Sequence, residues 1–306
     1  MNEFRRPIVV VGSINMDLVA RAPRIPLAGE TLTGSGFDTT PGGKGANQAV
    51  AIARLGYPVV MAGKVGEDVF GQALLDNLNR AGVGTAAVES VPGPSGVALI
   101  EVASNGENSI VVVPGANGEV DCASIDHHAG LILSAGMVLC QLEVPLATVN
   151  HVLALCVEAG VPVMLDPAPA APLPEETWGR IAWFTPNESE AALYVGEGRS
   201  AEEAAGQLLA RGLHGVVLKR GGEGAYVAVA GGEAGWVPTF RVEAVDTVGA
   251  GDCFNAAFAV ALLEGRDPWA AARFASAAAA ISVTRRGAQA SMPARAEVAA
   301  FLAEHG

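Results

Sequence analysis

Short runs of apolar, β-branched residues recur along the chain at Ile8 to Val11, Val59 to Met61, Val138 to Leu142, Val161 to Leu165, Ile181 to Phe184 and Val216 to Leu218. Most are unbroken rather than alternating, a pattern that predicts strands covered on both faces, as in a parallel sheet. Between several of them the apolar positions change to a helical period. Phe70, Leu74 and Leu78 stand one turn apart in a segment from Phe70 to Ala81 that Gly82 stops. Helical patterns also run from Ala46 to Leu55 and from Pro145 to Ala159, the second ending at Gly160. This alternation predicts an α/β fold, doubly wound around a mostly parallel sheet with helices on its flanks.

One region breaks the rhythm. Val97 to Val102 and Ile110 to Val113 flank Ser-Asn-Gly-Glu at 104–107, and Asn-Gly between strand-like runs predicts a hairpin. Together with Leu18 to Thr40, rich in Pro, Gly and Thr, it is expected to form a small β-sheet over a site: a discontinuous lid of approximately residues 14–40 and 95–113 on a single α/β domain spanning 1–306. The C-terminal third reads as helical, from Gly251 to Glu264 and through an alanine-rich run from Trp269 to Val283 that suits close helix packing. No internal repeat or disordered linker interrupts the pattern.

Composition narrows the picture. With 306 residues, half of them hydrophobic, the chain has material for one large core and a small appendage. A formal net charge of −13 argues against nucleic acid and anionic membranes as partners. Any phosphate must be held by local groups. Cys122, Cys140, Cys156 and Cys253 are scattered without the spacing of a zinc site or redox dithiol, which fits a reducing cytosol. The apolar run before Gly12 is too short for a signal peptide core, and no uncharged stretch approaches the roughly 18 residues that span a bilayer. The expectation is a soluble cytoplasmic protein.

Candidate chemistry concentrates where strands end. Val245-Asp246-Thr247-Val248-Gly249-Ala250-Gly251-Asp252 opens an apolar helix, and glycines at a helix start let backbone N–H groups converge on an anion such as a phosphoryl group. Asp252 is either an ordinary helix-start acid or a general base for an attacking hydroxyl. Thr40-Pro41-Gly42-Gly43-Lys44-Gly45-Ala46-Asn47 also opens a helix and lacks the Ser or Thr of a Walker A loop. It reads as a tight turn or as a close backbone approach to a small polar ligand, with Asn47 on a sugar hydroxyl. Asn15 and Asp17, spaced by two beyond the first strand, form an Asx turn or a clamp on vicinal hydroxyls. Gln141-Leu142-Glu143 and Asp166-Pro167-Ala168-Pro169 follow two further strands. Asn187 caps a helix and, with Glu190 one turn on, is spaced to orient hydrated Mg²⁺. Lys219-Arg220-Gly221-Gly222-Glu223-Gly224 is a weak signal for a loop around a nucleotide. His127, His128 and His151 lack metal-ligand spacing.

In order and content these segments resemble the ribokinase-like carbohydrate kinases over nearly the full length. The resemblance runs from Gly-Ser-Ile-Asn-Met-Asp at 12–17 through Gly-Gly-Lys-Gly-Ala-Asn-Gln at 42–48 to Val-Thr-Arg-Arg-Gly-Ala-Gln at 283–289. The wider family is marked by the Gly-Gly at 42–43 and by Gly-Ala-Gly-Asp ending at 252, and more particular matches are Pro-Gly-Gly-Lys-Gly-Ala-Asn-Gln-Ala-Val-Ala at 41–51, Gly-Val-Ala-Leu-Ile at 96–100, Gly-Glu-Asn at 106–108, Gln-Leu-Glu at 141–143 and Asp-Pro-Ala-Pro-Ala at 166–170. The resemblance implies ATP-dependent phosphorylation of ribose at its 5-hydroxyl. It places ribose at Asn15, Asp17, Gly43, Lys44, Gly45, Asn47 and Glu143, makes Asp252 the base, and makes the amides of Gly249, Ala250, Gly251 and Asp252 the anion hole. ATP is implied at Asn187, Lys219, Arg220, Gly221, Gly222, Gly224, Gly251 and Ser276, with Glu190 near Mg²⁺. A potassium ion is implied at Asp246, Val248, Ser282, Arg285, Gly287 and Ser291, several through carbonyls, and the lid sheets are implied to pair two subunits into a homodimer.

The chain departs from that pattern at Lys219-Arg220, where relatives often carry Thr-Leu before the glycine; Ser276 also occupies a variable position. Rival readings are a sister kinase acting on deoxyribose, another pentose or a nucleoside, and a non-catalytic sensor of sugar or nucleotide. The sensor is expected to have lost the base or the anion-hole glycines, and both are present.

Overall fold

The protein is described by a computed structural model covering residues 5–305. In chain order the strands are β1 (Ile8–Val11), β2 (Asn15–Ala22), β3 (Gly36–Gly42), β4 (Val59–Gly66), β5 (Gly84–Val91), β6 (Gly96–Ala103), β7 (Asn108–Val113), β8 (Met137–Cys140), β9 (Val163–Leu165), β10 (Trp183–Phe184), β11 (Gly215–Lys219), β12 (Ala225–Val229) and β13 (Ala234–Val237). The helices are α1 (Lys44–Arg54), α2 (Val69–Arg80), α3 (Cys122–His127), α4 (Ala129–Ile132), α5 (Leu146–Glu158), α6 (Glu188–Val195), α7 (Ala201–Leu209), α8 (Ala250–Leu263), α9 (Pro268–Val283), α10 (Ala288–Ser291) and α11 (Arg295–Glu304).

The larger sheet has the order β13-β12-β11-β10-β9-β8-β1-β4-β5, parallel throughout except for β12 and β13. Period-two alternation within its buried strands explains how it carries two cores. Ile8 and Val10 face the layer of α1, α2, α8, α9 and α11, whereas Val9 and Val11 face the layer of α3 to α7. The predicted apolar runs all lie in this sheet. Their ends differ from expectation where the chain turns away: Leu142 lies beyond β8 because its N–H donates to Ala168 O instead of continuing the ladder.

Alanines line the contact of α8 with α9. Ala256, Ala257, Ala259, Ala261, Ala271, Ala272, Ala275, Ala277 and Ala278 are all fully buried, and small side chains let helix axes approach. The second sheet, in the order β3-β2-β6-β7, stands apart from the first. Its β2 pairs antiparallel with β3 and parallel with β6, and β6 closes the expected hairpin with β7. No helix among the described residues is long and apolar enough to cross a membrane.

Phe258 joins this packing to the site helix. It is fully buried on α8, edge-on to Trp183 at 5.0 Å between ring centres and stacked on Phe254 at 6.2 Å. Phe258→Ala is expected to lower unfolding free energy by about 3–5 kcal/mol in denaturant titrations. A loss below about 1 kcal/mol would mean that α8 is not anchored through this cluster.

Candidate active site

Because β8, β1, β4, β9, β10 and β11 are parallel, the segments that follow them emerge along one edge. Strand order reverses at β1, with β4 on one side and β8 on the other, and such a switch leaves a crevice at the carboxyl ends of the strands. Gly12 and Ser13 after β1, Gln141 to Glu143 after β8, Asp166 after β9, Asn187 after β10 and Lys219 ending β11 all open onto that edge.

The small sheet is rooted in this crevice. In β2, Asn15 is opposite Gly42 on one side and Gly96 on the other. A Cβ on Gly42 would run into the Asp17 carboxylate, and a Cβ on Gly96 into the amides of Asn15 and Asn117. Gly43 adopts φ 86°, a left-handed conformation that favours glycine, and turns the chain from β3 into α1. The start of α1 has no acid of its own; Glu143 caps it from across the crevice, accepting from Lys44 N at 3.1 Å and from Ser13 Oγ.

Asp252 lies in the first turn of α8 and is 5% exposed. Asn47 Nδ2 donates to its Oδ2 at 2.9 Å, and Asn47 Oδ1 is buried without a partner among the described residues, free to accept from a ligand hydroxyl. Gly249 precedes the helix at φ 76°, so the chain turns sharply and aims the first N–H groups outward. Ala250 N donates to Thr247 O and Cys253 N to Gly249 O. The Gly251 and Asp252 amides between them have no protein acceptor among the described residues. A carboxylate and free helix-start amides therefore share one turn, able to accept a proton and to bind an anion.

The charges are densely coupled. Burial, opposed by Lys44 and by the Asn47 and Gln48 amides but supported by Asp166, pushes the Asp252 carboxyl up to about 6. Burial, with Glu143 and Asp252 beside it, pushes Asp17 up to about 7. Burial opposes the charge on Lys44, but Asp252, Asp166, Glu143 and Glu190 outweigh it and hold the ammonium well above its usual range. Burial likewise raises Glu190, with Lys219 and Lys44 pulling it down. Five carboxylates thus surround two ammonium groups, an excess of negative charge that suits an added cation and would repel bare phosphates.

After β10, Asn187 N-caps α6 and Glu190 accepts from the Asn187 N–H at 2.8 Å, a complete capping box. Asn187 also bridges to Lys219. Two cavities flank the Lys219–Gly221 segment. One of about 570 Å³ is lined by Asn187, Ser189, Lys219, Arg220 and Gly221; the other, about 110 Å³, by Lys219, Gly221, Gly224, Gly251, Phe254 and Ser276. Gly222 lines neither. The added cations are both matched by acids: Lys219 Nζ is 3.0 Å from Asp166, and Arg220 pairs with Glu188 at 2.6 Å and Glu223 at 3.3 Å.

Of the residues expected to hold potassium, Asp246, Val248 and Gly287 are joined by hydrogen bonds. Asp246 accepts from Val248 N at 3.0 Å and from Gly287 N at 2.8 Å, while Val245 N and Asp246 N donate to Val283 O. These bonds hold Asp246, Val248 and Gly287 together and pin the loop before α8 against Val283 at the end of α9, next to Ser282. No group of three or more His, Cys, Asp or Glu among the described residues is placed to cage a metal.

The residue pattern alone did not point to Ser13 or Asn117. Asn117 is buried between β7 and α3, accepts from Ile14 N at 2.9 Å and donates to Asn15 Oδ1 at 2.6 Å, which fixes the Asn15 amide. Its partners are 102 and 103 positions away in the chain, so no local spacing could expose it.

The profile of the pfkB family carbohydrate kinases matches residues 5–295. The chain belongs to the pfkB family of carbohydrate kinases. It is 47% identical over 298 residues to ribokinase of Bacillus subtilis, covering 97% of this chain and 99% of that protein. Deoxyribokinase of Salmonella typhimurium is 39% identical over 292 residues, 94% of this chain and 95% of that one. The structure of Arabidopsis thaliana ribokinase complexed with ribose and ATP superposes with a TM-score of 0.92 at 36% identity, over 98% of this chain and 99% of that one.

The raised carboxyl of Asp17 has a consequence for stability in this pfkB family member. Its folded-state pKa, about 7, lies above the ordinary carboxyl value of 3.8, so folding favours the protonated form. The stability it contributes is complete at acid pH and is lost as pH rises from about 4 through 7. Asp17→Asn, measured without sugar, is expected to raise Tm at pH 8 and to leave it nearly unchanged at pH 4. An equal change at both values would show that Asp17 is not under charge strain.

Proposed function

We propose that this pfkB kinase transfers the γ-phosphoryl group of ATP to the 5-hydroxyl of D-ribose, producing ribose 5-phosphate and ADP. The observation that carries the reading is Asp252, a buried carboxylate in the same helical turn as two unpartnered amides. Ribose and ATP are the ligands of the Arabidopsis relative, and the Bacillus relative is a ribokinase. Deoxyribose is the nearest alternative, because a deoxyribokinase also resembles the chain along almost its full length. Asn15 and Asp17, two residues apart on β2 and so on one face, favour a sugar with vicinal hydroxyls and hence ribose.

In this mechanism the lid closes over ribose, with Asn15, Asp17, Gly43, Lys44, Gly45, Asn47 and Glu143 holding the sugar. Asp252 accepts the 5-hydroxyl proton as the O5–phosphorus bond forms and the bond from phosphorus to the β-phosphate oxygen breaks. The amides at the start of α8 stabilise the charge on the transferring group. Asn187, Lys219 to Gly221, Gly224, Gly251 and Ser276 hold ATP, Gly222 supporting the turn. Asn187 and Glu190 would orient Mg²⁺, which when bound neutralises phosphate oxygens. Asp246, Val248, Ser282, Arg285, Gly287 and Ser291 would hold K⁺ behind the anion hole. The four unpaired cysteines, three of them buried, accord with a cytoplasmic location.

We further propose a homodimer through the lid. Every residue of β7, an edge strand, is exposed; Ile110, Val111, Val112 and Val113 are 43–57% accessible, as is Leu99 of β6 at 46%. An apolar edge of this kind needs a cover, and a second copy supplies one of matching shape and chemistry. In light scattering the parent chain is expected to have twice the monomer mass, and Ile110→Glu with Val112→Glu to shift it toward monomer. A monomeric parent at micromolar concentration contradicts the pairing.

A coupled ADP assay across ribose, deoxyribose, other pentoses and nucleosides, with and without potassium, tests the substrate. Ribose is expected to give the highest kcat/KM, and potassium to raise it; no response to ribose excludes it. Asp252→Ala should lower kcat by about 10²–10⁴-fold. Turnover near the parental rate would make Asp252 a structural residue.

A further inference from the structure

Asp252 belongs to a buried chain of side chains that extends beyond the acceptor side of the site. Gln48, on α1 and 1% exposed, donates Nε2 to Asp252 Oδ1 at 3.1 Å and to Asp166 Oδ2 at 3.2 Å. Its Oε1 accepts from Gln141 Nε2 at 2.8 Å, and Gln141 is fully buried. A primary amide carries two N–H donors, and both are directed at carboxylates here. Turning it over would set Oε1 against two negative groups and its N–H₂ against that of Gln141. The orientation of Gln48 is therefore dictated by its neighbours.

The remaining oxygens of the two acids look in different directions. Asp252 Oδ2 accepts from Asn47, on the sugar side. Asp166 Oδ1 accepts from Lys219 Nζ at 3.0 Å, and Lys219 lines the cavity shared by Gly221, Gly251 and Ser276, on the nucleotide side. Lys219 also stands beside the start of α8, where a Cβ on Gly251 would lie 3.5 Å from its ammonium nitrogen. One amide thus joins the acid facing the acceptor to the acid that holds a cation facing the donor.

We infer that Gln48 is a positioning residue for phosphoryl transfer: its amide aims Asp252 at the acceptor hydroxyl and, through Asp166, fixes Lys219 beside the phosphates. The inference rests on the proposed kinase reaction. A simple packing role would need none of this polarity, since an apolar side chain of similar size would fill the same space. Besides Gln48, the groups that face Asp252 are Lys44 and Asn47 from α1 and Asp166 after β9, and Asp252 in turn acts on Asp17 of β2.

The test compares the parent with Gln48→Leu over pH 5–9. Loss of the two donors is expected to lower kcat by about 10–100-fold through misalignment. Because those donors favour the ionised acid, the acidic limb of kcat/KM should move up by about one pH unit. KM for ribose should change little, since Asn15, Asp17 and Glu143 remain. Lys219→Met should cost less in the Gln48→Leu background than in the parent, the mark of a shared path. A folded Gln48→Leu with parental kcat and an unmoved acidic limb overturns the inference. If Gln48→Leu does not fold, Gln48→Met keeps the length of the side chain without an N–H donor and should give the same upward displacement; an unmoved limb again overturns it. A ¹³C-carboxyl NMR titration of Asp252 in the sugar-free protein reads the same displacement without turnover. It separates failure of this inference from failure of the ribose reading, in which the parent itself shows no ribose-dependent ADP formation.

Discussion

A carboxylate buried in the first turn of α8 sets the demands that the surrounding structure meets. Its own helix offers the favourable end of a dipole but no side-chain donor, so partners must come from elsewhere. Asn47 and Gln48 supply them from α1, which has to pack directly against α8. Both helices are rich in small buried residues, Ala46, Ala49 and Ala51 in α1 and Ala256, Ala257 and Ala259 in α8, and small side chains let helix axes approach. Gly45 carries the same constraint to the sheet, where a Cβ would meet the backbone of Gly12 and Ser13. Burial holds the Asp252 carboxyl at about 6, ionised at neutral pH and still basic enough to take a proton.

Negative charge is concentrated in the crevice, although a carbohydrate kinase must admit a polyphosphate, and the fold meets that conflict by dividing labour. Lys44 sits among Asp252, Asp166, Glu143 and Glu190, while Lys219 is held on Asp166. Neither ammonium neutralises the cluster, which keeps an excess of negative charge. The free amides of α8 add positive potential without any titratable group. Above this floor, the small sheet joins the crevice at Asn15 and Gly42, so any movement of that sheet would carry Asn15 and Asp17 with it.

Much of this could be read from the chain because it rests on local signals. Unbroken apolar runs found the parallel strands, Asn105-Gly106 found the β6–β7 hairpin, and Gly249 to Asp252 announced the start of α8. The edges of the large sheet were harder. Gly84 to Val91 mixes Thr, Glu and Ser with small apolar residues because β5 is half-buried, and β12 and β13 are short antiparallel additions with glycines nearby. Contacts distant in sequence left no trace at all. Gln48 looks like one more polar residue in a helix until Asp166 and Asp252, 118 and 204 positions away, are folded onto it. Arg220 likewise gives no sign in the sequence of the ion pair it forms with Glu188, 32 positions away.

A crystal structure with ribose, ADP, Mg²⁺ and aluminium fluoride would examine the central arrangement most directly. The fluoride is expected on the Gly251 and Asp252 amides, with ribose O5 about 2.6–3.2 Å from an Asp252 carboxylate oxygen. Ribose bound with O5 turned away from Asp252, or fluoride bound away from the start of α8, would contradict the pairing of base and anion hole.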